Sequence, residues 1–477
     1  MISPLLTDLY QLTMAQGYWK LGLHERPAVF HHIFRKFPFG GNYAVAAGLA
    51  SAVSFLEEFR FGAAELAFLA TLRAPAGEPL FEPAFLEYLQ GLRLTCDIDA
   101  IAEGTLVFPH EPLLRVTGPL LQGQLLETAL LNIVNFQTLI ATKAARVCLA
   151  AEGDRVLEFG LRRAQGPDGG LSASRAAYIG GCASTSSVLA GQQFGIPVSG
   201  TLSHSWITAF DSEQEAFEAF AEVMPHNFVL LVDTYDTRRG VQNAIRVAEK
   251  MRKKGVELRA IRIDSGDLAA LSIEARQALD AHGFLKTEII ASNSLDEHVI
   301  ADLKKRGAKI SVWGVGTSLV TAYDYPALDG VYKLSALKNA AGAWEHRLKL
   351  SEDPEKTSIP GILQVRRFYQ DERLVADVIY DQLTGLPEGS VEMVPAPHFA
   401  GPFETVPAHD RSEDLLQPVL REGLPVQEMP DIHSARKVCI ESVTRFAGAF
   451  QRKVYPVGLE QSLYRKRQQQ AVRLRQG

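Results

Sequence analysis

From about residue 155 to 335, apolar and β-branched runs alternate with amphipathic stretches. The runs are "RVLEF", "IPVSGT", "FVLLVDT", "ELRAIRID", "EIIASN", "KISVWGVG" and "GVYKLS". Between them lie "SEQEAFEAFAEVM", "RRGVQNAIRVAEKMRKKG", "LAALSIEARQALDAHG" and "LDEHVIADLKKRG", apolar at i, i+3 and i+4 and ending near Gly or Pro. Strands and helices alternating at this spacing predict an α/β fold with a parallel sheet, closed as a (β/α) barrel or left open.

The flanks carry a different rhythm. "TDLYQLTMAQGYWKLG", "ASAVSFLEEF" and "PAFLEYLQGL" predict helices, whereas "AVFHHIFRKF" predicts a strand. Residues 118–153 predict one long helix leading into the barrel. Beyond residue 340, turn-rich "SEDPEKTSIPG" and "LTGLPEGS" flank the strand-like "ILQVRRFYQ" and "LVADVIYD". The expected organisation is an N-terminal mixed α/β domain (1–117), a barrel domain that includes the long helix (118–338), and a small C-terminal domain (339–477). There is no internal repeat and no low-complexity tract.

Composition narrows the class. The 477 residues are 47% hydrophobic and 22% charged, as in an ordinary globular protein with more than one domain. A net charge of -6 gives no overall attraction to nucleic acid or anionic membrane, and the basic tail "RKRQQQAVRLRQG" reads as a solvated helix end. The four cysteines are far apart with no C-x-x-C pair, so neither a disulfide framework nor a zinc site is expected. No run approaches the ~18 apolar residues of a membrane span, and the N-terminus lacks a signal-like h-region. A cytoplasmic location is expected.

Reacting groups in such barrels sit where strands end. Unusual polar clusters fall there on successive predicted strands: "EFGLRR" (Arg162, Arg163), "GTLSHSW" (Gly200, His204, Ser205), "VDTYDT" (Asp233, Asp236), "RIDSGD" (Arg262, Asp264, Asp267), "ASNS" (Asn293) and "WGVGTS" (Gly314, Gly316, Thr317). Together they imply a pocket of cations, carboxylates and backbone donors. "WGVGTSLV", a strand, glycine turn and helix start, suits a phosphate. It is neither a P-loop nor a dinucleotide-binding fingerprint. The carboxylates suit Mg²⁺ held through water and sugar hydroxyls, or else helix capping, and both readings stay open for different members of each pair. No side chain is assigned as a direct metal ligand.

Taken together, "LLTDLYQLTMAQGYW", "EFGLRRAQGPDGG", "GTLSHSW", "VDTYDT", "RIDSGDL", "ASNSLDE", "GVGTS" with "GVYKL", and "KLSEDPEKTSIPG" resemble the nicotinate phosphoribosyltransferase family from residue 5 to about 361. The resemblance implies transfer of a phosphoribosyl group from 5-phosphoribosyl 1-pyrophosphate to nicotinate, yielding nicotinate mononucleotide and pyrophosphate with coupled ATP hydrolysis. This is the first step of NAD salvage from nicotinic acid. It also implies an irregular α/β barrel packed with an N-terminal α/β domain, Mg²⁺ accompanying the phosphorylated substrates, and a homodimer with active sites shared across the interface.

By the same resemblance, His204 is the histidine that ATP phosphorylates, and imidazole is a competent nucleophile near neutral pH. Gly200, Thr201 and Ser205 shape its loop and touch substrate phosphates. Arg262 pairs with the nicotinate carboxylate, while Tyr10 from the second subunit and Phe159 sandwich the pyridine ring. Arg162 contacts substrate anions, and its neighbour Arg163 is an open alternative. Asp233 and Asp264 serve ribose hydroxyls, Mg²⁺ and the developing positive charge. Asn293, Gly314, Gly316 and Thr317 hold the 5'-phosphate. His24, His31, His32 and His110 match no motif and are read as structural or surface residues.

Nicotinamide phosphoribosyltransferase is the nearest alternative. That relative carries an acidic residue just before a "VLAG"-like stretch, and the corresponding "GGCASTSSVLAG" has no acid. Quinolinate phosphoribosyltransferase calls for a denser cationic pocket and has no phosphorylated histidine. A non-catalytic barrel acting as a ligand sensor is the alternative of another class, and it predicts loss of at least one of these groups.

Overall fold

A computed structural model of the chain describes residues 2–352, 356–396, 399–450 and 455–476, so part of the "KLSEDPEKTSIPG" motif, residues 353–355, lies outside it. The chain forms two compact units, residues 140–326 and a second made of 1–139 with 327–477. The sequence reading divides the chain instead at 117 and 338.

The unit of residues 140–326 contains a six-stranded parallel sheet in the order Ser184–Thr185, Arg155–Glu158, Val312–Val315, Glu288–Ala291, Ala260–Ile263, Val229–Leu231. Helices Glu213–Val223, Thr237–Arg252, Leu268–Ala281 and Glu297–Lys305 alternate with the strands, as their apolar periodicity requires. Leu157, Val229, Ala260, Ile290 and Val312, one from each of five strands, form a shared apolar cluster. Parallel strands buried on both faces read as continuous apolar runs, which is why these segments were legible.

Two strand expectations are corrected. "IPVSGT" is not a strand; only Val198 makes an isolated parallel bridge, to Thr185. The irregular segment instead spans the gap between the two outermost strands. Thr185 N donates to Pro197 O and Ser199 N to Thr185 O, while Asn227, just before strand Val229–Leu231, reaches Gly200 O at 3.5 Å. The barrel is irregular because its seam is closed by loop rather than ladder. "GVYKLS" belongs to the other unit, where strand Gly330–Lys338 pairs antiparallel with Pro27–Phe34.

In that second unit a seven-stranded sheet runs Trp344–His346, Gly330–Lys338, Pro27–Phe34, Pro112–Pro119, Asp97–Ala100, Gln417–Arg421, Leu424–Pro425. Pairing of Gln417–Arg421 with Asp97–Ala100 builds N- and C-terminal segments into one unit. A separate six-stranded sheet holds Val457–Glu460 and Arg373–Asp381 at its centre, the latter paired on its other side with Leu363–Gln370. The expected long helix is broken into Leu120–Leu125 and Glu127–Ala150. At this break the buried Tyr332 hydroxyl donates to Gly123 O at 2.9 Å.

The histidines without a motif fall in this unit. His31 is buried, with Nδ1 2.8 Å from Ser335 Oγ and Nε2 accepting from Leu363 N. His32 is fully buried against Asn135 Oδ1 at 2.8 Å, and burial lowers its pKa from 6.5 to about 4. Unfolded chains take up this proton near pH 6.5 and folded ones only near 4, so stability present above 6.5 is lost as pH falls through that window. At pH 5 the loss from His32 amounts to about 2 kcal/mol. Chemical denaturation at pH 7 and pH 5 is expected to reveal it, with a shallower pH dependence in His32→Gln; an unchanged dependence in that variant counts against it.

Candidate active site

Strand ends of the parallel sheet surround a cavity of about 920 Å³. Of the residues singled out from sequence, Phe159, Arg162, Gly200, Arg262, Asp264, Asn293, Gly314, Gly316 and Thr317 line it. Arg163 lines it too, so both arginines of "LRR" reach the cavity.

Arg262 is the best-held group. Its side chain is 13% exposed, with Nε donating to Ser292 Oγ at 2.8 Å, Nη1 to Thr201 Oγ1 at 2.9 Å and Nη2 to Asp264 Oδ1 at 3.0 Å. Its guanidinium carbon lies 5.9 Å from the centre of the Phe159 ring. Burial alone would disfavour a charged Asp264, yet the Ser292 hydrogen bond and the adjacent Arg262 hold its carboxyl below the usual range. Asp264 is therefore ionised at neutral pH.

His204, Asp233 and Ser205 stand beside the cavity lining. His204 opens the short helix His204–Thr208, its side chain 45% exposed. Its Nδ1 is 3.1 Å from Thr234 Oγ1, which leaves Nε2 directed toward Asp264, 3.8 Å from Oδ2. Asp233 Oδ2 accepts from Asp264 N at 3.0 Å and Ser265 Oγ at 2.6 Å, while its Oδ1 is buried with no partner among the described residues. Ser205 bonds Ser203, a lining residue, at 2.6 Å. Tyr10 belongs to the other unit, on helix Leu9–Lys20, and is 48% exposed.

The open choice for the carboxylates divides cleanly. Asp236 accepts from Arg239 N and Asp267 from Ala269 N and Ala270 N, each capping its helix. Asp233 and Asp264 cap none of the described helices and are instead bonded to Ser265, Ser292 and Arg262 beside the cavity. Sequence reasoning missed the hydroxyls that orient the charges, Ser292, Thr234 and Ser265, and also Glu158. That fully buried carboxylate accepts from Ser174 Oγ, Thr185 Oγ1 and Gly160 N, fixing the turn that carries the arginines. A serine directly after a strand is the one signal Ser292 offered.

Backbone conformation marks two further turns. Asn293 and Ser294 have φ 93° and 40°, a left-handed conformation costing roughly 1–3 kcal/mol in non-glycine residues and concentrated at ligand sites. After strand Val312–Val315, Gly316 leads into the short helix Thr317–Val320, whose first amides lack intrahelical acceptors. Gly314 has a different reason for being glycine. A Cβ there would meet the Phe159 ring at 2.8 and 3.1 Å, so its absence lets the ring lie across the strand.

An α/β barrel whose open end joins a guanidinium, two carboxylates and amide-bearing turns is the build of a phosphoribosyltransferase. Models of the nicotinate phosphoribosyltransferase N-terminal domain, family and C-terminal domain match residues 5–135, 155–376 and 363–467. Nicotinate phosphoribosyltransferase of Bacillus subtilis is 41% identical over 472 residues, 97% of this chain and 94% of its own; that of Homo sapiens is 38% identical, covering 93% and 91%. The crystal structure of human nicotinic acid phosphoribosyltransferase matches with TM-score 0.84 at 34% identity, over 97% of this chain and 99% of that one. The chain belongs to the nicotinate phosphoribosyltransferase family. It is an enzyme that transfers a phosphoribosyl group from 5-phosphoribosyl 1-pyrophosphate to nicotinate, the first step of NAD salvage from nicotinic acid.

The slot beside Gly314 gives a test. Gly314→Ala is expected to displace the Phe159 ring and lower kcat/KM for nicotinate by about tenfold or more, since overpacking typically costs 1–3 kcal/mol. Unchanged steady-state kinetics would show that the ring has room to move.

Proposed function

We propose that the transfer is coupled to ATP through phosphorylation of His204. The observation that carries this reading is the arrangement around the imidazole: Nδ1 engaged by Thr234, Nε2 open and beside the ionised Asp264. In the tautomer whose Nδ1–H donates to Thr234, Nε2 keeps the lone pair that γ-phosphoryl transfer needs of its nucleophile. A positive charge developing on the imidazole is then stabilised by the neighbouring carboxylate.

The remaining roles follow from charge and shape. Arg262 binds the nicotinate carboxylate, and Phe159 forms one wall for the pyridine ring. As pyrophosphate leaves, the ribose carbon acquires oxocarbenium character, and Asp233 and Asp264 stabilise it while engaging ribose hydroxyls. Asn293, Gly314, Gly316 and Thr317 hold the 5'-phosphate, with Arg162, Gly200 and Ser205 on the pyrophosphate or ATP side. The hard oxygens of Asp233 and Asp264, one of them buried without a partner, fit Mg²⁺. Bound Mg²⁺ would neutralise the phosphates of either substrate.

We further assign the enzyme to the cytoplasm, in keeping with four free cysteines and with no helix among the described residues long and apolar enough to cross a membrane. It works as a homodimer in which Tyr10 completes the partner's pyridine site. Exposed Leu6, Leu9, Tyr10 and Met14 give the N-terminal segment an apolar surface suited to a second copy.

Incubation with γ-labelled ATP is expected to give acid-labile, base-stable label on the wild type. His204→Ala should carry none, losing ATP stimulation while retaining slow transfer. Equal labelling of both proteins would remove His204 from this role.

Sharing of sites has its own test. Tyr10→Ala and His204→Ala protomers, dissociated and reassociated at equal ratio, are expected to recover up to about a quarter of wild-type activity per chain, because a mixed dimer has one intact site. No recovery from proven mixed dimers would mean that Tyr10 serves its own subunit.

A further inference from the structure

We propose that Ser292 aims Arg262 at the carboxylate of nicotinate and thereby sets the preference for the acid over its amide. The inference rests on the reading of Arg262 as the partner of that carboxylate.

Ser292 follows strand Glu288–Ala291 directly, and its amide donates to Ile263 O at 3.1 Å, which fixes it level with the end of the Arg262 strand. Its hydroxyl is used in both directions, accepting from Arg262 Nε at 2.8 Å and donating to Asp264 Oδ1. Neither direction is adjustable. An arginine N–H can only donate and an ionised carboxylate can only accept, so the single hydroxyl proton goes to Asp264.

The consequence is geometric. Ser292 and Asp264 Oδ1 bond each other and together cover the Nε–Nη2 edge of the guanidinium, while Thr201 takes one proton of Nη1. Of the five N–H donors of an arginine, one on each Nη remains. The free proton on Nη2 lies on the edge it shares with Nη1, where a planar carboxylate can be met.

Ser292 also acts as a spacer. Without its hydroxyl, Nε and Nη2 would be open to chelation by both oxygens of Asp264, the arrangement that arginine and carboxylate favour. The fork would then turn toward Asp264, and Oδ2 would leave the His204 side, where it now lies 3.8 Å from Nε2. Ser292 is thus a positioning residue for both neighbours. A ligand carboxylate depends on the aimed fork, whereas an uncharged carboxamide on the same ring depends on it far less.

The test compares wild type, Ser292→Ala, Ser292→Thr and Arg262→Lys, with nicotinate varied at saturating 5-phosphoribosyl 1-pyrophosphate and nicotinamide as competitor. Ser292→Ala is expected to raise KM for nicotinate about tenfold with a smaller change in kcat, leaving nicotinamide inhibition within about twofold. Ser292→Thr, which keeps the hydroxyl, is expected to restore KM to within about threefold of wild type. Parallel weakening of both ligands, or a threonine variant as impaired as alanine, would overturn the aiming role in favour of a loosened pocket. Arg262→Lys, which keeps charge but loses the fork, is expected to lower kcat/KM for nicotinate by tens to about a hundredfold. Unchanged nicotinate kinetics in Arg262→Lys would overturn the arginine reading itself. Loss in Arg262→Lys with no change in Ser292→Ala would overturn the serine inference alone.

Discussion

A half-buried ion pair organises the catalytic unit. Arg262 and Asp264 are 13% and 27% exposed at their side chains, two residues apart where one strand leaves the sheet. Removing charge from water costs several kcal/mol per ion, recovered only when the surrounding hydrogen bonds are complete. Ser292, bonded to both charges, and Thr201 meet that demand, while the Asp264 amide separately donates to Asp233. Three strand ends or adjoining loops are therefore tied together by the requirement of one arginine, and the Asp264 amide adds a fourth through Asp233. Replacing either charge leaves the other stranded, which is why the pair serves as a fixed platform for a ligand.

This platform explains the mixed chemistry of the cavity. Phosphoribosyl transfer handles an anionic acceptor, an anionic leaving group and a cationic ribose carbon in one space, and a site of one sign would repel part of the reaction. The sheet resolves the conflict by separation. In the proposed assignment Arg262 and Phe159 serve the ring, Asp233 and Asp264 the positive centre, and the turns after Ala291 and Val315 the phosphate, with the Arg262 guanidinium 5.9 Å from the Phe159 ring centre. Strain at Asn293 and Ser294 belongs to the same economy, since a turn held in a left-handed conformation by its flanking strand is already shaped before substrate arrives.

The irregular closure of the barrel also sets where side chains fall. The irregular path of residues 196–204 brings the Thr201 hydroxyl to Arg262 and His204 to Thr234. The loop closes the sheet and supplies the nucleophile of the proposed coupling step.

The sequence by itself determined the alternation of strands and helices, the polar clusters at strand ends and the family, because apolar periodicity and motif order are properties of the chain read locally. Read from the residues alone, it left capping and chemistry open for Asp233, Asp236, Asp264 and Asp267. Only the tertiary structure assigned Asp236 and Asp267 to helix ends and Gly314 to the clearance of an aromatic ring. It alone moved "GVYKLS" out of the barrel and broke the long helix where Tyr332 bonds the Gly123 carbonyl. Ser292 and Thr234 remained invisible for the same reason. A hydroxyl has no pattern along the chain, and its role is set by which charges lie within about 3 Å of it after the strands have come together.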